Sequence, residues 1–114
     1  MIRGALLAVT AFAVLSPHAA PARLGVSASE FHLMLSRASV KGGRVTIQLQ
    51  NDGQDVHDLR LRRIGGMRTY SFPVTSPGAR SALSLRLLPG RYRLWCSVAD
   101  HSQLGMRAVL RVRR

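Results

Sequence analysis

The sequence predicts an all-β protein, a Greek-key β-sandwich or barrel with about seven strands. Apolar residues alternate with polar ones instead of recurring every three or four positions, which is the period of strands rather than helices. Clusters of Gly, Pro, Asn, Asp and Ser interrupt this pattern about every ten residues. Short strands with such spacing are typical of sandwiches and barrels.

The N-terminal segment, residues 1–22, is predicted to be a secretory signal peptide. Arg3 precedes the apolar run Ala5–Leu15, and small residues up to Ala22 form an A-x-A-like cleavage site. The run is shorter than the roughly 20 apolar residues of a membrane-spanning helix; a retained membrane anchor is the alternative. We expect cleavage after Ala22 and a periplasmic or secreted protein.

The remaining chain, residues 23–114, has the length of one compact domain, and we expect it to be a monomer. Alternation and turn residues predict seven strands within it. They are Phe31–Leu35, Arg44–Gln50, Val56–Ile64, Thr69–Val74, Ala82–Leu87, Arg91–Cys96 and Met106–Val112.

Four residues with metal-binding side chains stand out. Cys96, His101 and Met106 lie within eleven residues, and His57 lies upstream. Two imidazoles, a thiolate and a weak axial thioether are the donors of a blue-copper site. Strand parity places three of these residues at the ends of inward-facing apolar stripes. The stripes are His57–Leu59–Leu61, Tyr92–Leu94–Cys96 and Met106–Ala108–Leu110–Val112.

The single cysteine fits this interpretation. A lone thiol in an exported chain forms no internal disulfide and is open to oxidation unless it is buried or bound. Metal binding would protect Cys96; a buried core thiol is the alternative.

The chain is strongly basic, with a formal net charge of +12. Such a charge fits nucleic acid, an anionic membrane or an acidic protein partner. Export and the small number of aromatic residues argue against nucleic acid; a solvated surface without a dedicated partner is the alternative. Arginines predicted on outward faces are Arg60, Arg62, Arg63, Arg91, Arg93, Arg107, Arg111 and Arg113.

Several segments resemble the cupredoxins, the blue-copper family of plastocyanin, azurin and rusticyanin. The resemblance rests on four segments, and the C-x4-H-x4-M spacing in the last of them is similar to that of rusticyanin-like members. The segments are Gly42–Gly53, Val56–Leu59, Leu88–Tyr92 and Trp95–Met106.

The resemblance implies one type 1 copper ion with His57, Cys96 and His101 as equatorial ligands and Met106 as the axial ligand. It implies a carrier of single electrons and therefore a redox partner protein. The basic surface favours a partner that is acidic or membrane-associated, and we expect no nucleic-acid partner and no enzymatic activity. A copper-trafficking or copper-storage module with the same ligands is the alternative, and a metal-free sandwich is a further one. No haem-attachment or nucleophile–base motif favours an enzyme.

Residues beside the ligands carry further predictions. By resemblance, His101 protrudes through an apolar patch of Leu104, Gly105 and Gly66–Met67 and passes the electron. Asp58 is predicted to accept a hydrogen bond from Ser97 and so to join two ligand segments; a surface Asp neutralising a nearby arginine is the alternative.

Two other side chains receive smaller roles. His32 shares a strand face with Met34 and is predicted to be a surface imidazole. Trp95 is predicted on the outer face beside Cys96, where it offers a second electron route or packs against a neighbouring strand.

Overall fold

The structure is a computed structural model that describes residues 1–13 and 20–114. The remaining residues, 14–19, belong to the predicted signal segment and lie outside the described part. No described residue is helical. Accordingly, the described part contains no helix with the length and hydropathy needed to cross a membrane.

Nine strands in two sheets form a sandwich, which confirms the all-β prediction with two strands more than expected. The additional strands are β1 and β3. The nine are β1 Ala22–Ser29, β2 His32–Leu35, β3 Ser39–Lys41, β4 Gly43–Asn51, β5 Arg60–Arg63, β6 Thr69–Ser71, β7 Arg80–Leu87, β8 Gly90–Trp95 and β9 Arg107–Arg113.

One sheet has four strands in the order β2-β1-β4-β7, and the other has five in the order β3-β9-β8-β5-β6. The pairs β1/β4 and β3/β9 are parallel, and the other pairs are antiparallel. Four of the seven adjacent pairs join strands that are not consecutive in the sequence, namely β1/β4, β4/β7, β3/β9 and β5/β8. Such crossovers are typical of a Greek key.

Strand β1 begins at Ala22, at the predicted cleavage position. Its buried residues are Leu24, Val26 and Ala28, and they alternate with half-buried Gly and Ser. Because Gly25, Ser27 and Ser29 are small, the alternation of apolar and polar residues is weak here, and the sequence pattern therefore predicted no strand. Parallel pairing with β4 carries the end of β1 to the end of the sandwich where β4 also finishes.

The predicted strand Val56–Ile64 is shorter in the structure, where β5 covers only Arg60–Arg63. His57 lies in the preceding loop and forms an isolated antiparallel bridge with Thr75. Asn51, which is buried, holds this loop in place because its Nδ2 donates to the carbonyl oxygens of Asp55 and Thr75 at 2.8 Å each. Strand β6 likewise stops before the predicted Val74.

The core lies between the sheets and follows the predicted parity. Most inward residues of β4, β8 and β9 are buried, and their outward neighbours are mostly exposed. The buried apolar stripes of β8 and β9 continue to Cys96 and Met106, both fully buried. The core therefore extends up to the predicted ligands.

Candidate metal centre

Three segments bring three potential ligands together at one end of the sandwich. His57 comes from the β4–β5 loop, Cys96 directly follows β8, and His101 lies in the β8–β9 loop. The Nδ1 atoms of the two histidines are 3.2 Å apart, and Cys96 Sγ lies 3.9 Å from His57 Nδ1 and 3.7 Å from His101 Nδ1. All three residues are buried, and their donor atoms form a group able to hold a metal ion.

The size of this triangle suits one transition-metal ion. For bonds of about 2.0 Å to nitrogen and about 2.3 Å to sulfur, three donors in a trigonal plane lie roughly 3.5 to 3.8 Å apart. The sulfur–nitrogen distance of 3.7 Å lies in that range, the other, 3.9 Å, is slightly longer, and the nitrogen–nitrogen distance of 3.2 Å is slightly shorter. The residues therefore fit a single ion without rearrangement of the three segments.

Met106 lies beside the triangle and is fully buried. Its amide donates to the carbonyl of His101 at 3.1 Å, and its carbonyl accepts from the amide of Cys96 at 3.1 Å. The main chain of Met106 is thus bonded to two of the three donor residues. Two imidazoles, a thiol and a neighbouring methionine form the donor set of a type 1 copper site.

Glu30, in the turn between β1 and β2, contacts the far side of the His57 ring. Its Oε1 lies 3.0 Å from His57 Nε2 and also accepts from the amides of Gln54 at 2.8 Å and Asp55 at 2.6 Å. These bonds, the one from the Asp55 amide foremost, lower the pKa of Glu30 from 4.5 to about 2. The ionised carboxylate accepts the Nε2 proton of His57 and leaves Nδ1 free to face Cys96.

The Glu30 carboxylate has room in this position because residue 53 is a glycine. A Cβ atom at Gly53 would lie 2.5 Å from Oε1 and 2.6 Å from Oε2 of Glu30, closer than side chains approach one another. A larger residue at this position would displace Glu30.

The next residue, Phe31, packs against the second histidine. The ring centroids of Phe31 and His101 are 5.2 Å apart with their planes at 60°, a tilted arrangement favoured by aromatic rings. The β1–β2 turn therefore contacts both imidazoles, through Glu30 on one side and Phe31 on the other. On its outer edge, His101 Nε2 lies 3.8 Å from Asp55 Oδ2.

Comparison with known proteins places this arrangement in a structural class. No family model matches the chain, and no curated protein matches it. Among solved structures, reduced auracyanin from Roseiflexus castenholzii aligns with a TM-score of 0.67 at 15% identity, covering 84% of this chain and 100% of that one. Auracyanin A, a "blue" copper protein from Chloroflexus aurantiacus, aligns with a TM-score of 0.67 at 15% identity, covering 82% and 100%.

The chain has the cupredoxin fold.

Larger proteins contain the same fold as one part. A multicopper oxidase aligns with a TM-score of 0.60 at 16% identity over 85% of this chain but only 45% of that chain. A copper-containing nitrite reductase from Thermus scotoductus aligns with a TM-score of 0.57 at 16% identity over 81% of this chain and 31% of that one. The auracyanins, by contrast, match the cupredoxin domain over their whole length.

The predicted hydrogen bonds between Asp58 and Ser97 are present in this cupredoxin domain. Asp58 Oδ1 accepts from the Ser97 amide at 2.6 Å, and Oδ2 accepts a very short hydrogen bond from the Ser97 hydroxyl. Asp58 is buried, and among the residues that the structure describes it forms no ion pair with an arginine. The prediction is confirmed: Asp58 joins the segment of His57 to that of Cys96.

Burial raises the pKa of the Cys96 thiol above its usual value of 9.0. Hydrogen bonds from the amides of Asp58 and Val98 lower this pKa, but by less than burial raises it. Without a metal the sulfur therefore holds its proton at neutral pH, and binding of a metal ion would release that proton.

The predictions about which side chains are exposed near the site are confirmed for some residues and wrong for others. His101 is only 6% exposed, so it does not protrude as the resemblance implied, although the apolar neighbours Leu104 and Met67 are exposed. His32 is exposed, as predicted. Trp95 lies on the outer face of the five-stranded sheet, between Arg60 and Arg107 in register.

The sequence missed Glu30 and Phe31 as neighbours of the histidines. One signal was available: four of the five acidic residues of this basic chain lie within five positions of His57 or His101 in the sequence. Asp52, Asp55 and Asp58 flank His57, Asp100 precedes His101, and Glu30 contacts His57. Such a concentration of carboxylates in a chain with a net charge of +12 marks a region where negative charge has a structural role.

Proposed function

We propose that this protein is an exported blue-copper protein that binds one copper ion and carries single electrons between redox partners. In this proposal His57, Cys96 and His101 are the equatorial ligands and Met106 is the axial ligand. The supporting observation is the buried triangle of two Nδ1 atoms and one Sγ atom, with sides of 3.2, 3.7 and 3.9 Å.

The chemistry of the donors supports electron transfer. Soft thiolate and thioether ligands suit Cu(I), and imidazole also binds Cu(II), so the same set serves both oxidation states. The ligand segments are held in place by hydrogen bonds that the carboxylates of Glu30 and Asp58 accept, Glu30 from the β4–β5 loop and His57 and Asp58 from Ser97. A site that is held in one geometry rearranges little when the charge of the ion changes.

Burial of the donors favours a carrier over a trafficking or storage module. His57 and Cys96 are fully buried and His101 nearly so, whereas exchange of copper between proteins requires an incoming ligand to reach the ion. In this proposal the protein carries electrons and does not itself act as an enzyme.

Export is the second part of the proposal. The N-terminal apolar side chains that the structure describes, among them Leu6, Leu7 and Phe12, are about nine-tenths exposed or more and so add nothing to the core. Their removal with residues 1–22 would leave the domain 23–114, and the N-terminal sequence of the purified protein tests this cleavage.

The experiment that separates a carrier from a trafficking module is repeated redox cycling in the presence of a Cu(I) chelator. The copper-loaded protein is reduced with ascorbate and reoxidised with ferricyanide while its visible absorption is followed. A carrier regains its absorption in every cycle because the buried ion stays bound. Rapid transfer of the reduced ion to the chelator would support trafficking instead.

A further inference from the structure

The outer face of the five-stranded sheet is the most strongly charged surface of the molecule. Its strands alternate buried apolar residues with exposed Arg or Lys. No acidic residue lies on any of its five strands. In the part of the chain that the structure describes, no arginine or lysine forms an ion pair with a carboxylate.

Like charges stand directly opposite one another on this face. Arg62 pairs with Arg93, Arg91 with Arg111, and Lys41 with Arg113. Directly opposed like charges destabilise a sheet. The outer face of the other sheet has one such pair, Arg44 and Arg86, and its central residues are mostly uncharged Ser, Thr and Gln. The cations are therefore denser on the five-stranded sheet, whose outer face carries eight Arg or Lys residues on its strands, than on the other sheet, whose outer face carries four: Arg23, Arg44, Arg80 and Arg86.

A shallow groove crosses this charged face. Its floor is formed by Arg62, Arg93, Trp95 and Arg107, and exposed Met67 stands at its rim. The rim turn is held over the sheet because Arg62 Nε donates to the carbonyl of Gly66 at 2.9 Å. Guanidinium groups beside an aromatic ring and an apolar rim are the residue types enriched at protein interfaces.

We propose that this groove binds an acidic segment of a partner protein. Carboxylates in an extended segment would pair with Arg93 and Arg107, because a guanidinium donates two parallel hydrogen bonds to the two oxygens of a carboxylate. Bound carboxylates would also relieve the repulsion between opposed arginines. A groove that the turn of Gly66 and Met67 borders favours a protruding peptide segment over the flat surface of an anionic bilayer.

This proposal does not depend on copper, because the groove is formed by the protein alone. It locates the partner on the arginine face of the five-stranded sheet, where the groove also borders the β8–β9 loop at Ser102 and Gly105. The charge of the arginine face attracts an acidic partner.

The chain contains one tryptophan, and it lies in the groove, so binding has a built-in reporter. The experiment titrates the copper-free protein with a short polyglutamate peptide and follows Trp95 fluorescence. We expect a saturable change in emission, and an affinity that falls as salt is added. The Arg93→Glu/Arg107→Glu variant should bind at least about tenfold more weakly.

The matched control is Arg44→Glu/Arg86→Glu, which makes the same change in net charge on the other sheet. It should lose no more than about threefold in affinity, because its charges lie outside the groove. Arg93→Gln/Arg107→Gln serves as a second test if the charge reversal prevents folding.

Three outcomes would overturn the proposal. One is equal weakening by both double reversals, which would indicate an effect of net charge alone. Another is no response of Trp95 to the peptide. The third is tighter binding to vesicles of anionic phospholipid than to polyglutamate, which would identify a membrane as the partner. Copper loading of the same variants reports separately on the metal site.

Discussion

Glu30 Oε1 lies 3.0 Å from His57 Nε2, and this contact joins the β1–β2 turn to the candidate metal centre. The carboxylate sets which nitrogen of His57 carries the proton, and it brings a negative charge close to the site. Its influence should therefore be visible both with and without copper.

Glu30→Gln should raise the reduction potential of the copper-loaded protein by tens of millivolts. Loss of a nearby negative charge destabilises Cu(II) relative to Cu(I), while the amide oxygen of Gln keeps the geometry. Voltammetry measures the shift. Asp52→Asn is the matched control, because Asp52 contacts Ser27 and Gln50 but no candidate ligand. Equal shifts in both variants would contradict a specific role for Glu30.

Gly53→Ala should expel the Glu30 carboxylate and so release the His57 ring. Nitrogen-15 NMR of the copper-free protein should show His57 protonated at Nε2 in the wild type and a mixture of tautomers in the variant. Gly25→Ala is the control, since a Cβ atom there meets Ser36 at an ordinary 3.5 Å. An unchanged His57 spectrum in Gly53→Ala would mean that the ring is held by other contacts.

Asp58→Ala should destabilise the folded protein by about 1–3 kcal/mol, because the amide of Ser97 loses its partner in a part-buried site. Ser97→Ala removes only the hydroxyl bond and should cost about 0.5–1.5 kcal/mol. Denaturant unfolding measures both losses. The copper affinity of Asp58→Ala should also fall, and an unchanged affinity and visible spectrum would refute the idea that Asp58 supports the site.

The copper-free thiol should react with a thiol reagent only at alkaline pH. Burial raises the pKa of Cys96, so the reactive thiolate forms above the usual value of 9.0 and its fraction falls as pH falls below it. The rate of modification measured against pH, in native protein and in denaturant, tests this. A native midpoint below that of the unfolded chain would show that the thiolate is stabilised instead.

Strand parity predicted much of this molecule correctly. Apart from half-buried Ala108, the stripes ending at His57, Cys96 and Met106 are buried, because one face of each sheet covers the core. The predicted outward arginines are exposed, but Arg63 pairs in register with buried Tyr92 and so does not share the outer face of the sheet. Parity failed to predict β1, because the outward residues Gly25, Ser27 and Ser29 are small and contrast only weakly with the buried Leu24, Val26 and Ala28.

The partners of the ligands were harder to predict. Asp58 and Ser97 each adjoin a candidate ligand in sequence, so their hydrogen bonds were within reach of sequence reasoning. Glu30 lies 27 positions from His57 and reaches it only because β1 runs parallel to β4. Parallel pairing has no local signature in the sequence, so the contact of Glu30 with His57 and the packing of Phe31 on His101 could not be inferred, although the acidic residues near both histidines indicated negative charge at the site.

The most direct test of the central claim is the visible absorption spectrum of the Cu(II)-loaded protein beside that of Cys96→Ser. The wild type should show an intense blue or green band from copper–thiolate bonding, and Cys96→Ser should lack it. A wild-type spectrum without that band, or a band that persists in Cys96→Ser, would contradict a type 1 copper site in this fold.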